Sequence, residues 1–457
     1  MVSRRLVPFL FVLYVFNVLD RTNVGIAALQ MNGDLGFSSA AFGVGAGIFF
    51  FGYSLFEVPS NLMLARVGAR RWIAIILIAW GTVASCLMFV RTPLQFYILR
   101  LLLGAAEAGF FPGIIFYLCQ WFPSTQRATA TSRFMIAIPL SAALGGPLGG
   151  ALLGLRGIGH LSGWQWLFLV EGIPSVILGA VALKYLDDGP KDALWLPTEN
   201  RTWLSNRMCS GCEASDSAHG SGLLRTMFHP LVWILALPYF LALTVWYGYV
   251  FWAPIVVREA IGSTDANTGL IIGAIAALSA VAMLVIGASS DRGRERCVHA
   301  AVGIGLAGAG FLAAAWGAHP FLRVAALTLV SIGGLSFLVP FWCLPTMLFR
   351  GKSAAVAIAL VSSLGSVGGF VGPTLIGSMK NAARGQSNAF LLMACIAFAA
   401  SGLCIALRRR PEFGGVRVLT GGMRADESGG AQQIGALDID SIADGQSRGD
   451  PDHHDHT

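Results

Sequence analysis

Apolar residues in this chain arrive in long runs rather than in strand-like alternation. Twelve such runs recur at roughly 6–29, 42–64, 73–90, 94–118, 132–154, 164–185, 230–257, 268–288, 299–317, 324–349, 354–379 and 387–407. Each is near the about 20 residues an α-helix needs to cross a bilayer. Short polar or Gly/Pro-rich stretches punctuate them, and the longest internal one covers 186–229. The pattern predicts an all-α membrane protein of twelve transmembrane helices, with an N-terminal six-helix unit (1–185), a linker (186–229), a C-terminal six-helix unit (230–407) and a disordered polar tail (408–457). The first run follows only MVSRR, but its length and its Asp20-Arg21 pair read as a retained helix rather than a cleaved signal.

An internal repeat supports the division. The loop ARVGARR (Arg66) recurs as DRGRER (Arg292), and GGPLGG (Pro147) recurs as VGPTLIG (Pro373), both 226 positions apart. Two unrelated motifs sharing one offset indicate duplicated halves.

Composition agrees with lipid as the solvent: 55% of residues are hydrophobic, 12% are charged, and the mean hydropathy is +0.68. The net charge of +7 raises the question of a nucleic-acid partner, which the distribution of cations answers. With the N-terminus inside, fifteen Lys and Arg fall in the inner segments (Arg4, Arg5, Arg66, Arg70, Arg71, Arg127, Arg133, Arg292, Arg294, Arg296, Arg350, Lys352, Arg408, Arg409, Arg410), against six in the outer loops (Arg91, Arg156, Arg258, Arg323, Lys380, Arg384). That bias places both termini in the cytoplasm and needs no nucleic acid.

Five of the eight cysteines (Cys86, Cys119, Cys343, Cys395, Cys404) lie inside the expected helices and read as small packing residues. Cys209-x-x-Cys212 with His219 nearby is half of a zinc pattern, and the DPDHHDHT terminus reads as a solvated tail, so no metal and no cofactor are expected.

Ionisable groups within a bilayer are costly and need a reason. The first six runs hold Asp20, Arg21, Glu57, Arg100, Glu107 and Glu171 well inside, while the interiors of the last six hold none. At a rise of about 1.5 Å per residue, Asp20 lies about 15 Å below the outer surface, Arg100 about 10 Å and Glu107 about 21 Å. Arg100 and Glu107, seven apart, share a helix face, and Tyr53 falls near the midplane with Glu57 one turn deeper. Three helices of one half can therefore bring charged groups together at the centre.

A guanidinium there can capture an anion by paired hydrogen bonds, and the carboxylates can carry protons. The competing interpretation is a structural bridge between Asp20 and Arg100. Arg21, with no obvious acidic neighbour, points to a monocarboxylate or a monoprotonated diacid. Glu57, before Pro59, reads as a gate or packing residue. Glu171, before Pro174, is expected to satisfy backbone groups freed at a helix break. The seventh run contributes Trp246, Tyr247, Tyr249 and Trp252, and the eleventh contributes Ser362, Ser363 and Ser366. Of these, Tyr247 and Ser362 are the expected ligand contacts. The loop residues Arg66, Arg70, Asp291 and Arg292 are expected to latch one conformation.

These residues resemble a known family. The chain from about 4 to 408 resembles the major facilitator superfamily, with two halves flanking a midplane site. NVLDRTNVG, GYSLFEVPSNLML, RLLLGAAEAGFFPGIIFYL, GWQWLFLVEGIP and FWAP resemble its anion:cation symporter branch, closest to bacterial tartrate-type and aromatic-acid transporters. The resemblance implies that Arg21 binds the substrate carboxylate, that Tyr53 lines the site, and that Asp20, Arg100 and Glu107 couple proton movement to transport. It further implies a monomer in the bacterial inner membrane that imports a small organic anion with protons.

The sequence departs from the family pattern in places. Ala65 stands where the loop motif has Asp, Ser362 where tartrate-like relatives tend to have Asn, and IAIPLS lacks a Gln seen in sugar-acid carriers. The seventh run lacks the Arg of the glutamate carriers, which argues against a second cationic anchor. GGPLGG also resembles a motif of drug antiporters, so proton-coupled drug efflux is the alternative, although a deep Arg21 suits cationic drugs poorly. An enzyme is not expected, because no His or metal-ligand cluster appears at membrane depth.

Overall fold

The computed structural model describes residues 2–204 and 228–410 apart from 294, 318, 350 and 383, and within these leaves aside the side chains of 65, 124, 125, 127, 128, 291, 346 and 351–355. Cys209, Cys212, His219 and the His/Asp-rich terminus lie outside the described residues. Twelve helices among the described residues are long and apolar enough to cross a membrane. They are α1 (Val2–Leu35), α2 (Ser39–Leu64), α3 (Ala69–Phe89), α4 (Pro93–Trp121), α5 (Thr129–Leu153), α6 (Gly163–Tyr185), α7 (Pro230–Ile261), α8 (Asp265–Ser290), α9 (Cys297–Trp316), α10 (Pro320–Pro345), α11 (Val356–Met379) and α12 (Gly385–Arg408).

Their side chains sort by solvent in a way that soluble helices do not. On α2, Phe51, Leu55, Val58 and Leu62 form an exposed apolar stripe, each more than half accessible, while Phe42, Phe49, Phe50 and Tyr53 point inward. Spacings of three and four residues put each set on one face of a helix. An apolar outer face is stable where lipid replaces water, and the backbone polar groups are satisfied within the helices.

Proline breaks two of the spans at places readable from the chain. In α4 the helix Pro93–Glu107 stops and Phe110–Trp121 resumes. Pro112 cannot bond to the carbonyl of Ala108 and its ring crowds that carbonyl, so Ala108 turns extended and Gly109 takes φ +85°. Glu107 is thus the last residue before a break. Pro139 stands in the same relation to Met135, where the first helix of the α5 segment ends. Pro174 leaves α6 unbroken.

The halves meet through two equivalent seams. A methyl group at Gly43 of α2 would collide with the Pro373 carbonyl of α11, and one at Gly269 of α8 would collide with the Gly146 carbonyl of α5. Gly43 and Gly269 are themselves 226 apart, the offset of the sequence repeat. Small residues let these backbones approach closely.

Polar contacts between the halves gather at the end that carries Asp34 and Arg258. Gln30 Nε2 donates to Asp265 Oδ2 at 2.7 Å and to Leu153 O at 3.0 Å. Arg258 donates to the Leu29 carbonyl, and its Nη2 stands 3.3 Å from Asp265 Oδ1. Toward the opposite end, which carries Arg66 and Arg292, Ser54 Oγ donates to Ser363 O at 3.1 Å, the last inter-half hydrogen bond among the described residues. The described hydrogen bonds between the halves thus draw them together at the Asp34 end.

Part of the expected linker packs on the first half. Leu186, Ala193, Leu196 and Leu204 are buried. Asp188 Oδ1 accepts from the Arg70 backbone at 2.8 Å, and Trp195 stacks on Trp121 at 5.9 Å.

Candidate functional site

The close approach of α4 to α2 builds the site. A methyl at Gly104 would strike the Phe49 carbonyl. That proximity lets Arg100, fully buried on α4, donate from Nε to Gly45 O at 3.3 Å and from Nη2 to Ala46 O at 3.0 Å, while its Nη1 has no partner. Among the described residues no carboxylate pairs with it at salt-bridge distance. The Asp20–Arg100 bridge weighed from the sequence is not formed.

Arg21 is paired. Its Nε donates to Glu107 Oε1 at 2.8 Å and its Nη2 donates to the same oxygen. This corrects the expectation that Arg21 lacks an acidic neighbour; a turn of α4 that ends at the Gly109 break supplies one. Glu107 is fully buried, whereas the Arg21 side chain keeps 18% of its surface accessible, so Arg21 is the member of the pair a solute can touch. Glu107 Oε2 has no hydrogen bond of normal geometry, and both polar atoms of Asn17, one turn before Arg21 beside the same carboxylate, are buried and unsatisfied.

Aromatic rings frame the two guanidiniums. The Arg21 Cζ lies 5.1 Å from the Tyr53 ring centroid and 5.6 Å from Phe49; the Arg100 Cζ lies 4.9 Å from Phe49 and 5.9 Å from Phe251. All four distances are within cation–π range. Phe251 belongs to α7, so the second half already touches the charged cluster of the first. Tyr247 of α7 packs on Phe50 at 4.1 Å and, with Tyr14, lies within electrostatic reach of Arg21. Arg21, Tyr53, Glu107, Arg100 and Tyr247 thus come together in one cluster.

Other expected residues stand apart. Asp20 leaves Arg21 behind and faces α3 and α6, where its Oδ2 accepts from Trp80 Nε1 at 2.8 Å and Ser175 Oγ at 2.9 Å. Adjacent residues of a helix diverge by about 100°, so the two charges of one dipeptide serve different seams. Glu57 is buried one turn beyond Tyr53 toward the Arg66 end, with Oε2 unpartnered. Ser362 is half-buried on α11, its carbonyl accepting from Ser366 Oγ at 2.9 Å.

Glu171 does not tend a helix break. Its Oε2 accepts from Asn23 Nδ2 at 2.8 Å in an unbroken α6, and an ionised carboxylate could not donate to a freed carbonyl in any case. Of the α7 aromatics, Trp252 bonds Pro373 O at 3.1 Å and Trp246 packs toward Tyr249 at 5.7 Å.

Among the expected latch residues, Arg70 Nε donates to Leu183 O at 2.6 Å near the α6 terminus, whereas Arg66 and Arg292 are exposed and the side chain of Asp291 lies outside the described residues. A cleft of about 640 Å³ at the Asp34 end, lined by Asn32, Trp252, Arg258, Glu259 and Lys380 among others, is separate from the Arg21 cluster.

Asn17, Phe49, Trp80, Ser175 and Phe251 were not singled out from the sequence. Asn17 carried a signal, one turn before Arg21 on the same face; the others became neighbours only through packing. No group of three or more His, Cys, Asp or Glu gathers among the described residues.

Twelve membrane helices in two pseudo-equivalent halves, with charged residues meeting aromatic ones where the halves join, define a membrane carrier. The chain belongs to the Major Facilitator Superfamily, whose family profile matches residues 10–373, and it is accordingly a multi-pass secondary transporter and not an enzyme. It is 45% identical over 416 residues to an Agrobacterium vitis protein named "Putative tartrate transporter", covering 91% of this chain and 95% of that one. It is 38% identical to the quinolone resistance transporter of Acinetobacter baumannii (83% and 87% covered) and 35% identical to the inner membrane transport protein RhmT of Escherichia coli (88% and 94% covered). In fold it resembles the crystal structure of a bacterial homolog of the human lysosomal transporter Spinster, with a TM-score of 0.73 at 17% identity, covering 90% of this chain and 99% of that one.

Proposed function

We propose that the protein imports a small organic carboxylate, of tartrate-like, sugar-acid or aromatic-acid type, by proton symport with alternating access. The observation that carries this reading is the Arg21–Glu107 pair, a partly accessible guanidinium held by a fully buried carboxylate. The names of the Agrobacterium vitis and Escherichia coli relatives support the solute class and an inner-membrane location.

A substrate carboxylate competes with Glu107 for the Arg21 donors. Once displaced, Glu107 is a buried anion that has lost its ion-pair partner, a state costly enough that taking up a proton is the easier course. Substrate binding and protonation then favour each other, which is the thermodynamic content of symport. Arg100 adds a second positive charge beside the Phe49 ring, Asp20 lies behind Arg21 on the same helix, and Tyr53, Tyr247 and Ser362 supply hydroxyls for the rest of the solute. The excess of cations at the Arg66 end supports a cytoplasmic location for that end and for both termini. The described state, cinched at the Asp34 end, is then closed to the outside, with Arg66 and Arg292 at the cytoplasmic gate.

The test is uptake of labelled tartrate, a sugar acid, phthalate and hydroxyphenylacetate into proteoliposomes of the purified protein, with and without an inward proton gradient. Gradient-driven uptake of one acid by the wild type and its loss in Arg21→Ala is the expected result. Uptake that survives Arg21→Ala overturns the assignment of the anion site.

The similarity to a quinolone resistance transporter supports a second reading, proton-coupled drug efflux. Arg21 argues against cationic drugs but not against quinolones, which are themselves carboxylic acids. Raised quinolone resistance on expression, with no carboxylate uptake in vesicles, would select that reading.

A further inference from the structure

The cleft at the Asp34 end has no part in the Arg21 cluster, and both halves build its walls. Leu29 and Asn32 of α1 and Ser39 of α2 form one wall; Trp252, Arg258 and Glu259 of α7, with Lys380 just past α11, form the other. Its volume of about 640 Å³ is that of a small-molecule site. Phe251 turns toward Arg100, while Trp252, the next residue, borders the cleft.

The charges of this cleft are held unequally. Lys380 Nζ lies 5.2 Å from the Trp252 ring centroid, and that ring is pinned by its Nε1 bond to Pro373 O at 3.1 Å and by edge contact with Phe42 at 5.4 Å. Packing therefore fixes the ammonium, and only 16% of the Lys380 side chain is accessible. Its counter-charge, Glu259 at 2.6 Å, is 46% accessible and can swing into water at little cost, as in other exposed pairs. Arg258 is anchored by the Leu29 carbonyl and by Asp265, which stands outside the lining. An ammonium has three donors and a guanidinium five, and the described contacts engage one on Lys380 and two on Arg258. On the facing wall Asn32 Oδ1 is buried without a partner, so turning that amide toward a solute breaks no bond of this oxygen.

We infer that the cleft is a second organic-anion site, distinct from the one at Arg21, that takes a small carboxylate. The carboxylate replaces Glu259 on Lys380 and reaches the spare donors of Arg258. The body of the solute lies against Leu29 and Trp252, and Asn32 and Ser39 meet it from the other half. Two cations and one carboxylate line the cleft, so a bound monoanion neutralises it where a bound cation would not. Because its walls belong to different halves, the site has this shape only while the Asp34 end is drawn together. Occupancy of the cleft does not require that the solute be transported.

Protection of a cysteine from alkylation tests it on the full-length protein in phosphatidylcholine nanodiscs. Ser39→Cys places a thiol in the wall, and its reaction with a charged, membrane-impermeant maleimide is followed by mass spectrometry on the peptide carrying position 39. Benzoate is the probe, exchanged for chloride at constant ionic strength, with benzamide as its uncharged counterpart. Benzoate is expected to slow the reaction in a saturable way, and benzamide to leave it unchanged. Adding Lys380→Gln should raise the half-protecting concentration about tenfold, the share of one charge-assisted bond. Adding Glu259→Gln removes the competing carboxylate and should lower it about threefold, a gain that a folding defect cannot produce.

Absence of protection, equal protection by benzamide, or a half-protecting concentration unmoved by both charge variants overturns the site. The last result would place the effect of benzoate elsewhere, at the Arg21 cluster. No transport enters the measurement, so failure of tartrate uptake would count against the transport reading and leave this result standing.

Discussion

Breaking the Arg21–Glu107 pair from either side should have unequal effects, and the structure sets the order. Arg21→Ala strands a carboxylate that is fully buried and already has one unpartnered oxygen. Removing one partner of a buried ion pair costs about 3–5 kcal/mol, of which the buried Asn17 amide beside Glu107 and the more distant Arg100 charge can offset only part. Glu107→Ala strands a guanidinium that is 18% accessible and lies against the Tyr53 and Phe49 rings. Cation–π contacts and partial hydration recover part of the loss, so about 2–3 kcal/mol is expected. The double variant removes both charges, and its cost should fall below the sum of the single costs by about 2–3 kcal/mol.

Reversible denaturant unfolding in mixed micelles measures all three. A cost for Arg21→Ala below about 1 kcal/mol, the range of a solvated surface pair, would refute the reasoning, because competition at Arg21 drives protonation only if Glu107 is dry. The double variant should recover stability without recovering uptake, which separates the structural role of the pair from its part in transport.

Three further outcomes follow from single contacts. Arg100→Lys cannot reproduce the bonds to Gly45 O and Ala46 O, so unfolding free energy should drop by about 1–3 kcal/mol with a parallel loss of uptake; an unchanged midpoint would show that these bonds contribute nothing. Gly269→Val places side-chain atoms on the Gly146 carbonyl and should open the Asp34 end, raising the rate at which a cysteine at Asn32 reacts with a membrane-impermeant thiol reagent. Gln30→Ala removes the 2.7 Å bond to Asp265 across the halves, a charge-assisted bond worth about 1.5–3 kcal/mol, and should accelerate the same labelling; an unaltered rate would mean that closure does not depend on it.

What the sequence by itself determined were the features written in local pattern. The twelve spans follow from run length and the two halves from the 226-residue offset. The break after Glu107 was also present in GFFPG, because Pro112 acts four residues back, although run length alone read that span as continuous. Depth also put Arg21, Glu107, Arg100 and Tyr53 within the same central part of the bilayer, since a helix held in a bilayer converts residue number into height.

What only the tertiary structure decided was direction and partner. Depth puts Asp20 and Arg21 at one height but does not say that Arg21 turns to α4 while Asp20 turns to α3 and α6, nor that Arg100 answers backbone carbonyls instead of a carboxylate. The physical reason is that azimuth around a helix is settled by which neighbours pack against it. Those neighbours, here Trp80, Ser175 and Phe49, lie tens to more than a hundred residues away from Asp20 and Arg100 in the chain.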